Sequence, residues 1–259
     1  MSAQTFAGRT ALLLCGFLAL PCWGAGEAAE PDFSLSVGLN FSRGDFGTDA
    51  VIEDTVIPLG FTAAFERVAF SISVPYLSVD TASEGITTTE SGLGDITASL
   101  TMFDVLYSDA RGLALDVTGA IKFGTADLET GLGTGENDVS LYVDGYKFLD
   151  QTTLFGSIGH RWRGEPPGAT LDDVLLATVG MTYLTGGDSL IGATVNYRES
   201  AIAELDDIRE LQGFVVLPLG EAWDLELYAF TGFTDSSPEW GAGFTLAADL
   251  RRLAFRRDR

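Results

Sequence analysis

The chain has 259 residues, with 37 acidic and 15 basic side chains and a formal net charge of −22. This charge argues against nucleic acid as a partner, because phosphate backbones are bound through lysine and arginine. The only two cysteines, Cys15 and Cys22, fall in a predicted cleaved leader. We therefore expect neither disulfides nor thiolate metal sites in the mature protein.

Residues 1–28 have the features of a secretory signal peptide. Arg9 precedes an apolar run from Ala11 to Leu20, and small residues follow from Gly24 to Ala28. The apolar run is shorter than the roughly 20 residues that a membrane-spanning helix needs. We predict cleavage after Ala28, which leaves residues 29–259 as one mature domain.

Beyond the leader, short segments recur in which every second residue is apolar, the period of a strand with two unlike faces. The mean hydropathy of +0.21 is positive although no later apolar run is long enough for a membrane-spanning helix. The alternation predicts twelve strands: Phe33 to Ser42, Thr55 to Phe65, Val68 to Tyr76, Asp95 to Phe103, Leu113 to Phe123, Asp138 to Phe148, Thr152 to Trp162, Asp173 to Leu184, Leu190 to Tyr197, Ile208 to Leu217, Asp224 to Phe233 and Trp240 to Leu250.

The connections between these segments alternate between short turns and longer, acidic loops. The turn from Asp104 to Gly112 is the one that is longer than this scheme prefers. Short periplasmic turns and long outer loops are typical of bacterial outer-membrane proteins. We predict an all-β fold, a transmembrane antiparallel up-and-down β-barrel of the outer-membrane type with about 12 strands. A soluble β-sandwich is the alternative.

The two faces of each predicted strand differ in polarity. Phe33, Leu35 and Val37 alternate with small or polar residues, and the former are expected to face lipid. Lysine or arginine facing lipid at the midplane costs about 2–4 kcal/mol, so we expect charges within strands to line the lumen. The predicted lumen-lining charges are Asp95, Asp116, Lys122, Asp144, Arg161, Arg209, Asp224 and Glu226.

Aromatic residues near the strand ends are typical of the girdles at the two membrane interfaces. The predicted girdle residues are Phe65, Tyr76, Phe123, Phe148, Trp162, Tyr183, Tyr197 and Trp240.

Several glycine-rich turns resemble those of the outer-membrane family named for the meta pathway of phenol degradation. These are Ser91 to Asp95, Lys122 to Thr125, Gly131 to Gly135 and Ser236 to Gly243. The resemblance implies a channel or transporter in the bacterial cell outer membrane for passive uptake of small, hydrophobic or aromatic compounds. We accordingly expect contact with outer-membrane lipid, lipopolysaccharide, a small-molecule solute and the barrel-assembly machinery.

Two departures from that family pattern stand out. Phe123-Gly124-Thr125 replaces a Pro-Thr-Gly-like turn, and the sequence ends Phe255-Arg-Arg-Asp-Arg259, where barrels usually finish on an aromatic residue.

Signs of catalysis are few. His160 is the only histidine, no G-x-S-x-G elbow surrounds a serine, and Gly131 to Gly135 lacks the Lys-Ser/Thr ending of a phosphate loop. We expect the protein to have no enzymatic activity, no cofactor and no metal site. The alternatives to a channel are a structural or surface-interaction barrel with a filled lumen and, third, an outer-membrane hydrolase that uses His160.

The long loops carry the acidic pairs Glu53-Asp54, Asp172-Asp173 and Asp206-Asp207. We expect these pairs to keep the loops solvated. Their alternative role is to collect divalent cations beside lipopolysaccharide phosphates.

Overall fold

Antiparallel strands form one continuous sheet in the computed structural model, which describes residues 31–127, 130–168 and 170–255. The predicted signal peptide lies outside the described residues. The strands are β1 (Asp32–Gly44), β2 (Val51–Ala64), β3 (Val68–Ser83), β4 (Ile86–Leu93), β5 (Ile96–Ser108), β6 (Leu113–Phe123), β7 (Asp138–Leu149), β8 (Thr152–Trp162), β9 (Val174–Leu184), β10 (Leu190–Arg198), β11 (Ile208–Pro218), β12 (Trp223–Gly232) and β13 (Trp240–Asp249). A short helix, α1 (Leu250–Phe255), follows β13.

The sheet closes on itself. Apart from β4 and β5, strands that are consecutive in the chain pair with each other, and β1 pairs with both β2 and β13. Strands β4 and β5 are separated by Gly94 and Asp95, and both pair with β3. Together they fill one strand position of the barrel wall, and we call each such position a stave. The result is the predicted closed antiparallel barrel of twelve staves.

Strand β4 is the element that the sequence pattern missed. Residues 77–94 were expected to be a loop, but β3 continues to Ser83 and returns as β4. Glu84 and Gly85 both have positive φ, 51° and 80°, as a tight two-residue hairpin turn requires. Threonine, serine and acidic residues occupy both faces of this hairpin, and it therefore shows no alternation of polarity.

The connection from Asp104 to Gly112 also differs from its prediction. The register of β5 against β6 shifts between Met102 and Leu106, which marks a β-bulge. Asp104 adopts φ 50° there, and its N–H donates to Asp116 Oδ1 at 2.8 Å. Because β5 then continues to Ser108, the remaining connection is short, as the barrel scheme requires.

The barrel has two unlike ends. We call the end with the short connections, where β1 begins and β13 finishes, the turn end, and the opposite end the loop end. Along β1, Leu35, Val37 and Leu39 are exposed on the outer face, whereas Asn40 and Ser42 are buried inside. Among the described residues, no helix has the length and apolar character needed to cross a membrane.

Candidate functional site: the lumen and its mouth

Three of the predicted lumen charges face inward near the loop end. Lys122 Nζ donates to Asp95 Oδ2 at 2.7 Å and to Thr134 Oγ1 at 2.8 Å, and it lies 3.5 Å from Asp138 Oδ2. We call Asp95, Lys122, Thr134 and Asp138 the Lys122 cluster. All four side chains are buried, so this cluster fastens the 124–137 loop to the inside of the barrel wall.

Arg161, the third of these charges, is fixed by polar side chains of β7. Its Nε donates to Ser140 Oγ and its Nη2 to Tyr142 Oη, both at 3.2 Å. The planar guanidinium group is therefore held against the barrel wall.

The other inward charges lie towards the turn end and are acidic. Asp116 on β6 and Asp144 on β7 are direct cross-strand partners. Asp224 and Glu226 share the inward face of β12 with buried Tyr228, and Asp224 is exposed at the turn-end opening.

Arg209 was predicted to line the lumen, but the structure places it on the outer face. Its neighbour Glu210 points inward and is buried, whereas the Arg209 side chain is 57% exposed. Arg209 lies 3.9 Å from Asp207 and over the ring of Tyr197 at 6.0 Å. The rule that charges avoid lipid does not apply here, because this residue lies at the loop-end tip of β11, where a long side chain reaches the polar interface.

Sequence reasoning missed five charged residues that lie inside the loop end. These are Asp54, Asp138, Arg163, Arg198 and Glu210. Strand alternation alone points Arg198 to the same face as Thr194 and Asn196, so its position was available from the sequence. Arg163 follows the end of β8, where alternation no longer applies.

The lumen also contains an aromatic lining that the sequence did not reveal. Phe214, Tyr228 and Phe230 form a buried apolar cluster with Val216, and Phe155 is buried on β8. Each of these rings lies over a glycine of a neighbouring strand. The pairs are Phe155 with Gly180, Phe214 with Gly192, Tyr228 with Gly243 and Phe230 with Gly241.

The predicted girdle aromatics behave differently from these inward rings. Seven of the eight are exposed, and Tyr197 is half-buried beneath Arg209. Aromatic residues thus occupy two environments in this chain, the outer rims and the inside of the wall.

Two of the connections pack against each other inside the loop end. Phe46, in the β1–β2 connection, is 1% exposed and has a positive φ of 52°. It packs with Ile52, Val79, Ala126 and Leu132 into a small apolar core inside the mouth.

A cleft lies on the other side of Phe46. Its walls include apolar Phe46, Leu171 and Leu205 and polar Arg163, Arg198 and Ser236. We call this cleft the mouth pocket. A backbone hydrogen bond joins two connections at its rim, where the Asp172 N–H donates to the Ala201 carbonyl at 3.0 Å.

Of the three acidic pairs expected in the long loops, Glu53-Asp54 lies in β2, and its two side chains point to opposite faces of the strand. Asp54 is buried inside β2, whereas Glu53 pairs with Arg43 at 2.8 Å on the outer face. Asp173 accepts from the Arg163 N–H at 2.9 Å, and Asp207 accepts from Tyr197 Oη at 3.0 Å. Within the described part of the chain, no group of three histidine, cysteine or acidic residues is arranged to hold a metal ion.

His160 lies on the outer face near the loop end. Its ring meets the Trp162 ring edge-on at 4.7 Å, and its Nε2 lies 3.8 Å from Asp173 Oδ2. This is the environment of an interfacial aromatic residue.

Comparison with solved structures gives the fold a clear context. The structure of the COG4313 outer membrane channel from Pseudomonas putida F1 superposes with a TM-score of 0.74 at 13% identity, covering 88% of this chain and 99% of that one. The fold is that of an outer-membrane barrel. The translocator domain of the autotransporter NalP from Neisseria meningitidis matches at a TM-score of 0.57 and 10% identity, covering 88% and 90% of the two chains. The KdgM porin matches at a TM-score of 0.54 and 10% identity, covering 83% of this chain and 98% of that one.

Sequence comparison adds nothing to this. No family model matches the chain, and no curated protein matches it. The membership in the phenol-degradation family suggested by the glycine-rich turns is thus not shown.

Proposed function

We propose that this protein is a bacterial outer-membrane channel for the passive uptake of small hydrophobic or aromatic compounds. The observation that carries the proposal is the aromatic lining, Phe155, Phe214, Tyr228 and Phe230, on the inner wall of a barrel whose outer face is apolar. Phenyl rings on the inner wall gain nothing from contact with a purely water-filled pore, whereas an apolar solute can bury surface against them.

Similarity of fold supports the membrane setting of the proposal. The structures with a similar fold include a chain described as an outer membrane channel and one described as a porin. Outer-membrane lipid and lipopolysaccharide are the surroundings that such a barrel requires, and the assembly machinery of that membrane is its expected folding partner.

A second candidate, a structural barrel with a filled lumen, also has an observation in its favour. The bulky inward side chains, such as Phe214, Lys122 and Arg161, are less than a tenth exposed. A barrel of twelve staves lies between the packed eight-stranded and the open sixteen-stranded cases. Side chains and folded-in loops can therefore fill it.

Solute flux distinguishes the two candidates. Folded protein in liposomes is compared with empty vesicles for entry of benzoate, a neutral phenyl glucoside and glucose. We expect both aromatic solutes to enter faster than glucose. Equal entry of all three would retain a channel but overturn the aromatic preference. Entry no faster than into empty vesicles, by protein with the heat-modifiable gel mobility of a folded barrel, would favour the filled barrel.

A further inference from the structure

The mouth pocket combines apolar walls with positive charge in a strongly acidic protein. Arg163 and Arg198 line it beside Phe46 and Leu171, and Arg161 is close enough to act electrostatically on both arginines. In a chain of net charge −22, three neighbouring guanidinium groups are an exception that requires an explanation.

Two polar atoms of the pocket wall lack a hydrogen-bond partner among the described residues. These are Arg163 Nε and Ser236 Oγ. Ser236 is only 6% exposed, so its hydroxyl is deprived of bulk water as well. An unpartnered buried donor costs free energy unless a ligand or an ordered water satisfies it. A guanidinium N–H can only donate, and a hydroxyl can donate, so both fit an acceptor.

The acidic residues of the same pocket are the competing ligands for the arginines. Glu199 Oε2 accepts from the Leu175 N–H at 2.7 Å, which engages that carboxylate with the backbone. Asp206 is exposed at the rim. Burial lowers the pKa of Arg163 from its ordinary value, and the nearby charge of Asp138 opposes this. Arginine nevertheless stays protonated at neutral pH, because its ordinary pKa is so high.

From this arrangement we infer that the mouth pocket is a binding site for a small aromatic carboxylate, with Arg163 and Ser236 bonding the carboxylate and Phe46, Leu171 and Leu205 contacting the ring. Guanidinium groups match the planar geometry of a carboxylate, and pockets for small molecules are mostly apolar with a few placed polar groups. The inference rests on the proposed function only in taking the occupant to be a solute of the channel.

Binding is tested on the full, folded barrel in detergent at pH 7.5. Ligand-observed NMR titration gives dissociation constants for benzoate, for benzyl alcohol (a ring without the charge) and for acetate (the charge without the ring). We expect benzoate to bind at least about tenfold more tightly than benzyl alcohol, the effect of one hydrogen bond to a charged group. It should also bind more tightly than acetate, because its ring is buried against the apolar walls. Equal binding of benzyl alcohol would overturn the role of Arg163 and Ser236, and equal binding of acetate would overturn the role of the apolar walls.

Matched variants locate the site. Arg163→Gln and Ser236→Ala are each expected to weaken benzoate binding, Arg163→Gln by about tenfold, with benzyl alcohol unchanged. The control, Arg209→Gln, removes the same charge from the outer face of the same end and should leave binding unchanged. Loss of benzoate binding in Arg209→Gln equal to that in Arg163→Gln would overturn the site.

The flux assay separates this inference from the proposed function. Benzoate binding that depends on Arg163, without flux of any solute, would support the pocket and overturn the channel. Flux of aromatic solutes without such binding would support the channel and overturn the pocket.

Discussion

At the scale of single residues, the Lys122 cluster is a buried ionic network inside the barrel. One ammonium group serves two buried carboxylates, and Asp95 Oδ1 also accepts from the Ala126 N–H at 3.0 Å. A buried ion pair adds little net stability compared with apolar residues of the same volume. Removing a single partner is strongly destabilising, because the remaining charges are then buried without compensation.

We therefore predict that Lys122→Met destabilises the folded barrel by about 3–5 kcal/mol. The matched control is Arg43→Met, which breaks the exposed pair between Arg43 and Glu53 and should cost about 0–1 kcal/mol. Urea unfolding in detergent, followed by tryptophan fluorescence, measures both. A Lys122→Met midpoint as high as that of Arg43→Met would show that the cluster does not hold the 124–137 loop.

At the scale of elements, inward aromatic rings pack over glycines of neighbouring strands. A side chain added at Gly180 on β9 would place its Cβ 2.5 Å from the Phe155 ring and 2.8 Å from the Ala193 carbonyl oxygen. The neighbouring strand backbone cannot move aside as a flexible side chain can. Glycine is needed here for close approach, since backbone and ring occupy the space.

Gly180→Ala is accordingly expected to destabilise the barrel by about 1–3 kcal/mol through overpacking. Gly213→Ala is the control, because a Cβ at that position on the outer face meets nothing within 4 Å. Its effect should stay within about 0.5 kcal/mol, as for ordinary surface changes. The same unfolding assay reads both variants. Equal destabilisation of the two would mean that strand propensity, and not the Phe155 contact, explains the requirement for glycine.

The strands could be predicted from sequence where their two faces differ. Strands β6 and β8 have the bounds that alternation predicted, and several others differ by one or two residues at an end. Strand β4 was not predicted because polar residues occupy both of its faces, so its sequence shows no alternation of polarity. The inward positions of Phe214 and Phe230 were not predicted, because aromatic side chains occur both in interfacial girdles and in a lumen.

At the scale of the whole molecule, the mouth depends on contacts between connections that are far apart in sequence. Phe46 meets Ala126 and Leu132 from the 124–137 loop on one side, and Leu171 and Leu205 line the mouth pocket on the other. Such non-local packing leaves no periodic signal, so neither the apolar core of the mouth nor the mouth pocket could be predicted from the sequence.

If the channel proposal holds, Phe46→Ala removes a bulky ring from the mouth and should increase the entry of phenyl glucoside into liposomes several-fold. Phe46 also has a positive φ, which is unfavourable for a bulky side chain. The control is Phe65→Ala, an exposed aromatic residue at the turn end that is remote from the mouth. Both variants are first checked for heat-modifiable mobility. Unchanged entry in Phe46→Ala, with folding intact, would place the limiting constriction deeper, among the inward rings and the charges of the wall.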